Sequence, residues 1–164
     1  MTKATSPIFK VSFRRRREGK TNFVKRLALI KSGLPRLVVR KSNSGILAQF
    51  VQFDEKGDKT LLTVNGSHLS KKYQWPSKRN AWTAYLVGLM AGKLAVKKGI
   101  SEFVLDLGMQ TPSKGAVLFA ALKGAIDAGL KGDCDMEKVP EQKLSNPPEK
   151  VKPLFEQLKG KIAG

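Results

Sequence analysis

Cysteine and histidine are almost absent from this chain. Cys134 is the only cysteine and His68 the only histidine among 164 residues. The sequence therefore excludes an internal disulfide and a zinc site built from several Cys and His ligands. Neither lone side chain indicates a nucleophile paired with its base. We expect no metal, no cofactor and a reducing compartment.

Long apolar runs are also missing. No stretch approaches the roughly 20 apolar residues that span a bilayer, and residues 1–10 lack the apolar run of a secretory signal. A mitochondrial presequence is the remaining targeting alternative, but Pro7 and an unbroken arginine block at 14–17 do not form an amphipathic helix. The expectation is a cytoplasmic protein with no membrane partner.

Acidic residues are scarce, since 13 Asp and Glu face 31 Lys and Arg and give a formal net charge of +18. Such an excess indicates a polyanionic partner, with phosphate backbones as the obvious candidate. The first 44 residues hold 13 basic and one acidic side chain, residues 45–100 hold nine and three, and the remainder is balanced. We therefore expect the N-terminal half to meet the polyanion and the C-terminal half to complete the fold.

The hydrophobic pattern predicts an α/β domain over residues 20–132. Three β-branched or alternating segments, separated by polar turns, predict antiparallel strands at 36–41, 46–53 and 60–64. A helix from Ala81, a buried strand at 103–107 in parallel pairing and a second helix follow them. The expected architecture is a mixed sheet with three antiparallel strands followed by helix-strand-helix.

The flanks of this domain are polar. Residues 1–19 are expected to form a basic N-terminal extension, and residues 133–164 a polar C-terminal tail with a possible short helix near 150–159. Residues 66–80 read as an irregular loop.

Apolar spacing suggests which side chains enter the core. A first helix is expected to begin near Lys20 and Thr21 and to end at Gly33, with Phe23, Leu27 and Ile30 on its inner face. Phe50 and Phe53 are expected to be core residues.

The densest cationic segment lies at the N-terminus. Its candidate phosphate contacts are Arg14, Arg15, Arg16, Arg17, Lys20, Thr21, Lys25 and Arg26. Guanidinium groups form bidentate pairs with phosphate oxygens, and each contact releases counterions. A solvated charge run or a nuclear-localisation signal is the alternative for an isolated tetrad. Because this patch continues into a helix and a strand, we favour nucleic acid.

Two further segments combine cations with hydrogen-bonding groups. A strand end and turn carry Arg40, Lys41, Ser42 and Asn43, and a predicted helix N-terminus carries Arg79 and Asn80. Both suit phosphate, 2′-hydroxyl and base contacts, although an ordinary hairpin explains the turn equally well. The neighbouring Trp75 and Trp82 could stack on a base or could be packing residues.

An enzymatic alternative would use carboxylates to hold a divalent metal for phosphodiester cleavage. The candidates are Asp54, Asp58, Asp106 and Asp127, with Asp106 at a strand end. Their spacing assembles no known metal signature, and Asp is common in turns. We therefore expect a protein that is not an enzyme.

Several segments, in order, resemble one family: the universal large-subunit ribosomal protein L-eighteen in its archaeal and eukaryotic branch, whose eukaryotic counterpart is ribosomal protein L-five. The resemblance covers roughly residues 9–132. The matching segments are FRRRREGKT at 13–21, KRL at 25–27, GLPRLVVRKSN at 33–43, AQ at 48–49, AYLVG at 84–88, VLDLG at 104–108, TPSKG at 111–115 and FAALKGAIDAGL at 119–130.

The resemblance implies a ribonuclease-H-like topology without nuclease activity. It also implies a structural constituent of the large ribosomal subunit that binds 5S rRNA and helps to attach it to the large-subunit rRNA in the central protuberance. Its partners would be 5S rRNA, large-subunit rRNA and neighbouring large-subunit ribosomal proteins.

The family contacts carried over to this chain are the arginine block, Lys20, Thr21, the segment 40–43, Arg79 and Asn80. The sequence departs from the family at 81–83, where Ala-Trp-Thr replaces the usual Thr-Pro, and nothing is carried over to residues 133–164. A non-ribosomal RNA-binding protein or chaperone is the alternative function.

Overall fold

The computed structural model describes residues 6–133, 135–149 and 151–163. Within these ranges it has five strands, namely β1 (Arg36–Lys41), β2 (Ile46–Gln52), β3 (Lys59–Asn65), β4 (Glu102–Asp106) and β5 (Lys131–Gly132). The α-helices of the same ranges are α1 (Arg14–Arg17), α2 (Phe23–Lys31), α3 (Gly66–Tyr73), α4 (Ala81–Lys97), α5 (Val117–Asp127), α6 (Glu141–Ser145) and α7 (Lys152–Ala163). A 3₁₀ turn at Met136–Lys138 precedes α6.

The strands form one mixed sheet in the order β3-β2-β1-β4-β5. The pairs β1–β2 and β2–β3 are antiparallel, whereas β1–β4 and β4–β5 are parallel. The predicted mixed sheet, with three antiparallel strands followed by helix-strand-helix, is therefore confirmed. The fifth strand was not predicted, because two residues are too few to produce a recognisable hydrophobic pattern.

One face of the sheet carries the hydrophobic core. Leu37 and Val39 of β1 and Phe50 of β2 are completely buried on this face, where α4 and α5 cover them. The helix α4 is apolar around most of its circumference, because it packs against the sheet, α5 and α7 at once.

The helices α4 and α5 cross at unusually short range. A side-chain carbon on Gly88 would overlap the carbonyl group of Ala121, and one on Gly124 would overlap that of Tyr85. Glycine is therefore required at both crossing points, even though it is a poor residue for a helix interior.

The helix α3 corrects the expectation of an irregular loop for residues 66–73, whereas residues 74–80 form neither helix nor strand, as expected. Asn65 accepts a hydrogen bond from the backbone N–H of His68 at 2.9 Å, and His68 Nδ1 accepts one from the Asn65 N–H at 3.3 Å. This reciprocal cap, together with the buried side chain of Leu69, starts a helix that the polar composition concealed. It also gives the single histidine a structural role.

Two apolar residues are more exposed than expected. Leu27 of α2 is 56% exposed rather than on an inner face, and Phe53 is 47% exposed rather than in the core. Phe53 lies just beyond the end of β2, where the sheet no longer covers it.

The four arginines of α1 form a single exposed helical turn, so their side chains point in different directions around the helix axis and stay in solvent.

The C-terminal segment packs on the domain through α7, the helix expected near residues 150–159. Phe155 and Leu158 are buried there, and the ring of Phe155 lies 5.8 Å from that of Tyr85 in α4. The segment therefore contributes to the same core as the sheet.

Candidate nucleic-acid interface

The second face of the sheet carries charged and polar side chains among apolar ones. Successive side chains of a strand point to opposite faces, so Arg36, Val38 and Arg40 of β1 lie opposite the buried Leu37 and Val39. Between this face and α2 lies a cavity of about 870 Å³. We call it the sheet groove; its lining includes Arg15, Lys20, Thr21, Lys25, Arg26, Arg36, Arg40, Gln49, Asp58, Asp106 and Gln110.

Alternating charges cross the floor of the sheet groove. Asp58 accepts from Arg26 at 2.9 Å and from Arg36 at 2.6 Å. Asp106 accepts from Arg36 at 3.1 Å and from Arg40 at 2.9 Å. The chain of ion pairs thus runs from α2 through the β2–β3 turn to β1 and β4.

This network leaves the groove positive, because three guanidinium groups face two carboxylates. Only 5% of the Arg36 side chain is exposed, whereas Arg26 and Arg40 are 36% and 38% exposed. The buried arginine orients both carboxylates. The two outer arginines keep donors directed at solvent, where phosphate oxygens can reach them.

Three of the carboxylates considered as metal ligands are already bound by other side chains. Asp58 and Asp106 are held by arginines, and Asp127 accepts from the Tyr85 hydroxyl and pairs with Lys123. In the part of the chain that the structure describes, no group of three or more His, Cys, Asp or Glu residues is arranged to hold a metal ion.

The rim of the sheet groove is built by residues 15–22 and by α2. Arg15 donates from Nε to the Thr21 hydroxyl at 2.8 Å, which connects α1 to the segment before α2. Asn22 caps α2 by accepting from the Lys25 N–H at 3.1 Å. Of the predicted tetrad, only Arg15 lines the groove; Arg14, Arg16 and Arg17 are exposed outside it.

A second cavity, of about 500 Å³, lies at the end of β1 and the start of α4. We call it the turn pocket; it is lined by Lys41, Asn43, Arg79, Asn80, Ala81, Trp82, Val117 and Lys143. Arg79 donates to the carbonyl of Asn43 at 3.4 Å, and Ile46 donates to that of Lys78 at 3.0 Å. Two predicted segments that are far apart in sequence therefore meet here.

Ser42 has a different role from its neighbours. Its hydroxyl accepts from the Gly45 N–H at 3.2 Å and lies 2.9 Å from the Ser44 hydroxyl. It therefore closes the β1–β2 turn and does not line either cavity.

The comparison with known families identifies the chain. The family described as "Ribosomal large subunit proteins 60S L5, and 50S L18" matches residues 8–103. The chain belongs to this family. The match covers more than half of the sequence and includes α1, α2, the three antiparallel strands and α4.

Membership of a ribosomal large-subunit family gives the protein a structural role in the ribosome, with ribosomal RNA and ribosomal proteins as partners. Such proteins are generally not enzymes. Among the described residues, no helix combines the length and apolarity needed to cross a membrane.

The two tryptophans separate into different environments. Trp75 is 2% exposed and donates to the Thr83 hydroxyl at 2.8 Å, so the packing interpretation is confirmed for it and a stacked base cannot reach its ring. Trp82 is partly buried and donates to the Lys143 carbonyl at 2.8 Å. Trp82 also lines the turn pocket.

Sequence reasoning missed several residues of both cavities. Gln49 donates to the Thr63 hydroxyl at 3.0 Å on the second face of the sheet, and Gln110 donates to the Lys41 carbonyl at 3.1 Å. The alternation along β2 could have indicated Gln49. No local signal pointed to Gln110 or Lys143, because both reach the site through tertiary packing.

Proposed function

We propose that this protein binds 5S rRNA and helps to attach it to the large-subunit rRNA in the central protuberance. The observation that carries the proposal is the clustering of the predicted contact residues in the structure. Every residue predicted to contact RNA lies within the family match at 8–103, and most of them line the sheet groove or the turn pocket.

The proposed mechanism begins with electrostatic docking. Arg14, Arg15, Arg16 and Arg17 meet the phosphate backbone first, because they are exposed and adjacent. Lys25 and the outer arginines Arg26 and Arg40 then contact phosphates at the groove. Contacts to phosphate set orientation and register.

Shape supplies the discrimination between RNAs. RNA is recognised through backbone geometry, 2′-hydroxyls and unstacked bases rather than through a major-groove code. The groove offers suitable hydroxyl and amide groups in Thr21, Gln49 and Gln110. Gln49 is held by β2, whereas Thr21 accepts a hydrogen bond from Arg15 and Gln110 donates one to the Lys41 carbonyl. Because their positions are fixed, these groups can select an RNA by its fold.

We further propose that the domain has a ribonuclease-H-like topology. We also propose that it has no nuclease activity. The strand order β3-β2-β1-β4-β5, with a parallel β1–β4 pair, supports the topology. The two arginines bound to Asp106 support the absence of cleavage chemistry. We retain 20–132 as the RNA-binding domain, with a basic extension before it and a C-terminal segment after it.

Competition binding tests the proposal. The protein is equilibrated with labelled 5S rRNA at raised salt, and unlabelled 5S rRNA is compared with an unrelated RNA of equal length. Raised salt suppresses the contribution that all RNAs share. We expect 5S rRNA to compete at a much lower concentration. Equal competition by both RNAs would contradict the proposed specificity.

A further inference from the structure

Three cations from separate parts of the chain surround the turn pocket. Lys41 ends β1, Arg79 lies just before α4, and Lys143 lies in α6. All three side chains belong to exposed residues. The fold therefore concentrates three positive charges around a cavity of about 500 Å³.

Among the described residues, no carboxylate neutralises these three charges. Across residues 6–133, 135–149 and 151–163, none of the three cations makes an ion pair, whereas Arg26 and Arg40 of the sheet groove each pair with a carboxylate. Like charges held around one cavity repel each other, and an anion in the cavity relieves that repulsion. The pocket is thus suited to an added phosphate group.

The backbone that carries Lys143 is held in place. Its carbonyl accepts from the Trp82 indole N–H at 2.8 Å, and the adjacent Leu144 packs against the core. Removing the Lys143 side chain leaves both contacts intact. The charge of this residue can therefore be tested without disturbing the position of α6.

We propose that Lys143 of the C-terminal segment completes a second RNA-phosphate site at the turn pocket, beside that of the sheet groove. Lys41 and Arg79 supply the other two cations, and Asn80, whose side chain does not cap α4, adds a polar group at the rim. Lys143 lies beyond the end of the family match at residue 103. The inference rests on the proposed RNA-binding function and extends it to a segment that function did not include.

Continuity with the sheet groove favours RNA as the occupant. Arg40 lines the groove and the next residue, Lys41, lines the pocket, because neighbouring residues of a strand point to opposite faces. Gln110 also joins the two, since it lines the groove and donates to the Lys41 carbonyl. One RNA backbone passing the end of β1 can therefore contact both sites.

The test compares Lys143→Ala with the matched control Lys161→Ala. Both remove one exposed lysine from the C-terminal segment, but Lys161 lies in α7 away from the pocket lining. The binding constant for 5S rRNA is measured over a range of salt concentrations. We expect Lys143→Ala to flatten the slope of log K against log salt by about 0.7 to 0.9, the value for one phosphate that is no longer neutralised. The control is expected to change it far less.

Equal slopes for the two variants would overturn the proposal; this would also be the result if an acidic protein occupied the pocket instead. A second variant, Lys143→Gln, is expected to flatten the slope as Lys143→Ala does. The circular dichroism spectra of the variants and the wild type are compared to show that the fold is unchanged. A different result would contradict the proposed function itself, namely a wild-type protein that does not prefer 5S rRNA over an unrelated RNA. If the wild-type protein prefers 5S rRNA but Lys143→Ala leaves the slope of log K against log salt unchanged, only the second site is refuted.

Discussion

Arg36 and Asp106 form a nearly buried ion pair between the parallel strands β1 and β4. Nη1 of Arg36 lies 3.1 Å from Oδ2 of Asp106, and their side chains are only 5% and 10% exposed. Asp106 also accepts from Arg40 and from the Gly108 N–H, so each of its oxygens has a partner. The pair therefore connects strand pairing, which builds the fold, with the charges of the sheet groove.

Removing Asp106 should strongly destabilise the protein. Asp106→Ala removes one of the two carboxylates that pair with the buried Arg36 guanidinium and leaves only Asp58. Removing one partner of a buried ion pair costs up to about 3–5 kcal/mol. The control is Glu137→Ala, which breaks an ion pair with Lys114 whose side chains are both 75% exposed and should cost about 1 kcal/mol or less. Urea unfolding measures both free energies. Similar losses in the two variants would argue against a structural role for the buried pair.

Two helical glycines should respond oppositely to replacement by alanine, because only Gly88 lies where two helices cross. Gly88→Ala forces a methyl group against the backbone of Ala121 and should destabilise the fold by about 1–3 kcal/mol or more. Gly160 of α7 has open space around it, so Gly160→Ala should stabilise by about 0.5–1 kcal/mol through helix propensity. Thermal and urea unfolding provide the comparison. A neutral Gly88→Ala would mean that the helices can separate without loss.

The arginine tetrad should bind phosphates directly rather than supply only net charge. Replacing Arg14, Arg15, Arg16 and Arg17 by Ala is expected to flatten the salt dependence of 5S rRNA binding by about 0.7 to 0.9 for each phosphate that is no longer neutralised. A variant with the same loss of charge is made from exposed lysines outside both cavities: Lys56, Lys97, Lys152 and Lys161. If both quadruple variants change the slope equally, the tetrad acts only as a solvated charge run.

Tyr85 should give the stability an alkaline pH dependence. Burial, with the hydrogen bond to Asp127, raises the pKa of the Tyr85 phenol above its ordinary value of 10.0. The neutral phenol therefore stabilises the fold fully below pH 10.0, and this contribution is lost as the pH rises towards the folded-state pKa.

Comparison with Tyr85→Phe isolates this effect, because all other titrating groups are common to both chains. At pH 8 the wild type should be more stable by about 0.5–1.5 kcal/mol, the usual contribution of one hydrogen bond. Above about pH 10, where a phenol in the unfolded chain ionises, the difference should shrink and then reverse. Urea midpoints at pH 8, 10 and 11 measure it, and a constant difference would be inconsistent with the raised pKa.

Local pattern was sufficient for the central elements of the fold. The β-branched run of β1 and the apolar spacing of α4 and α5 predicted these elements because their hydrophobic faces have a clear period. The helix α3 was missed because it buries little besides Gly66 and Leu69 and because His68 takes the place of the usual Glu or Gln in its cap. Leu27 was misplaced because helical spacing indicates a common face but not whether anything covers it.

The sequence by itself determined how much positive charge the protein carries, that this charge lies in the N-terminal half, and the order of its main strands and helices. Only the tertiary structure decided which cations are neutralised within the fold. Arg36 and Asp106 are 70 positions apart, and their ion pair exists because β1 and β4 are neighbours in the sheet. Lys41, Arg79 and Lys143 meet because the β1–β2 turn, the start of α4 and α6 converge. Ion pairs and shared anion sites act over a few ångströms, so they depend on distances that only the packed chain defines.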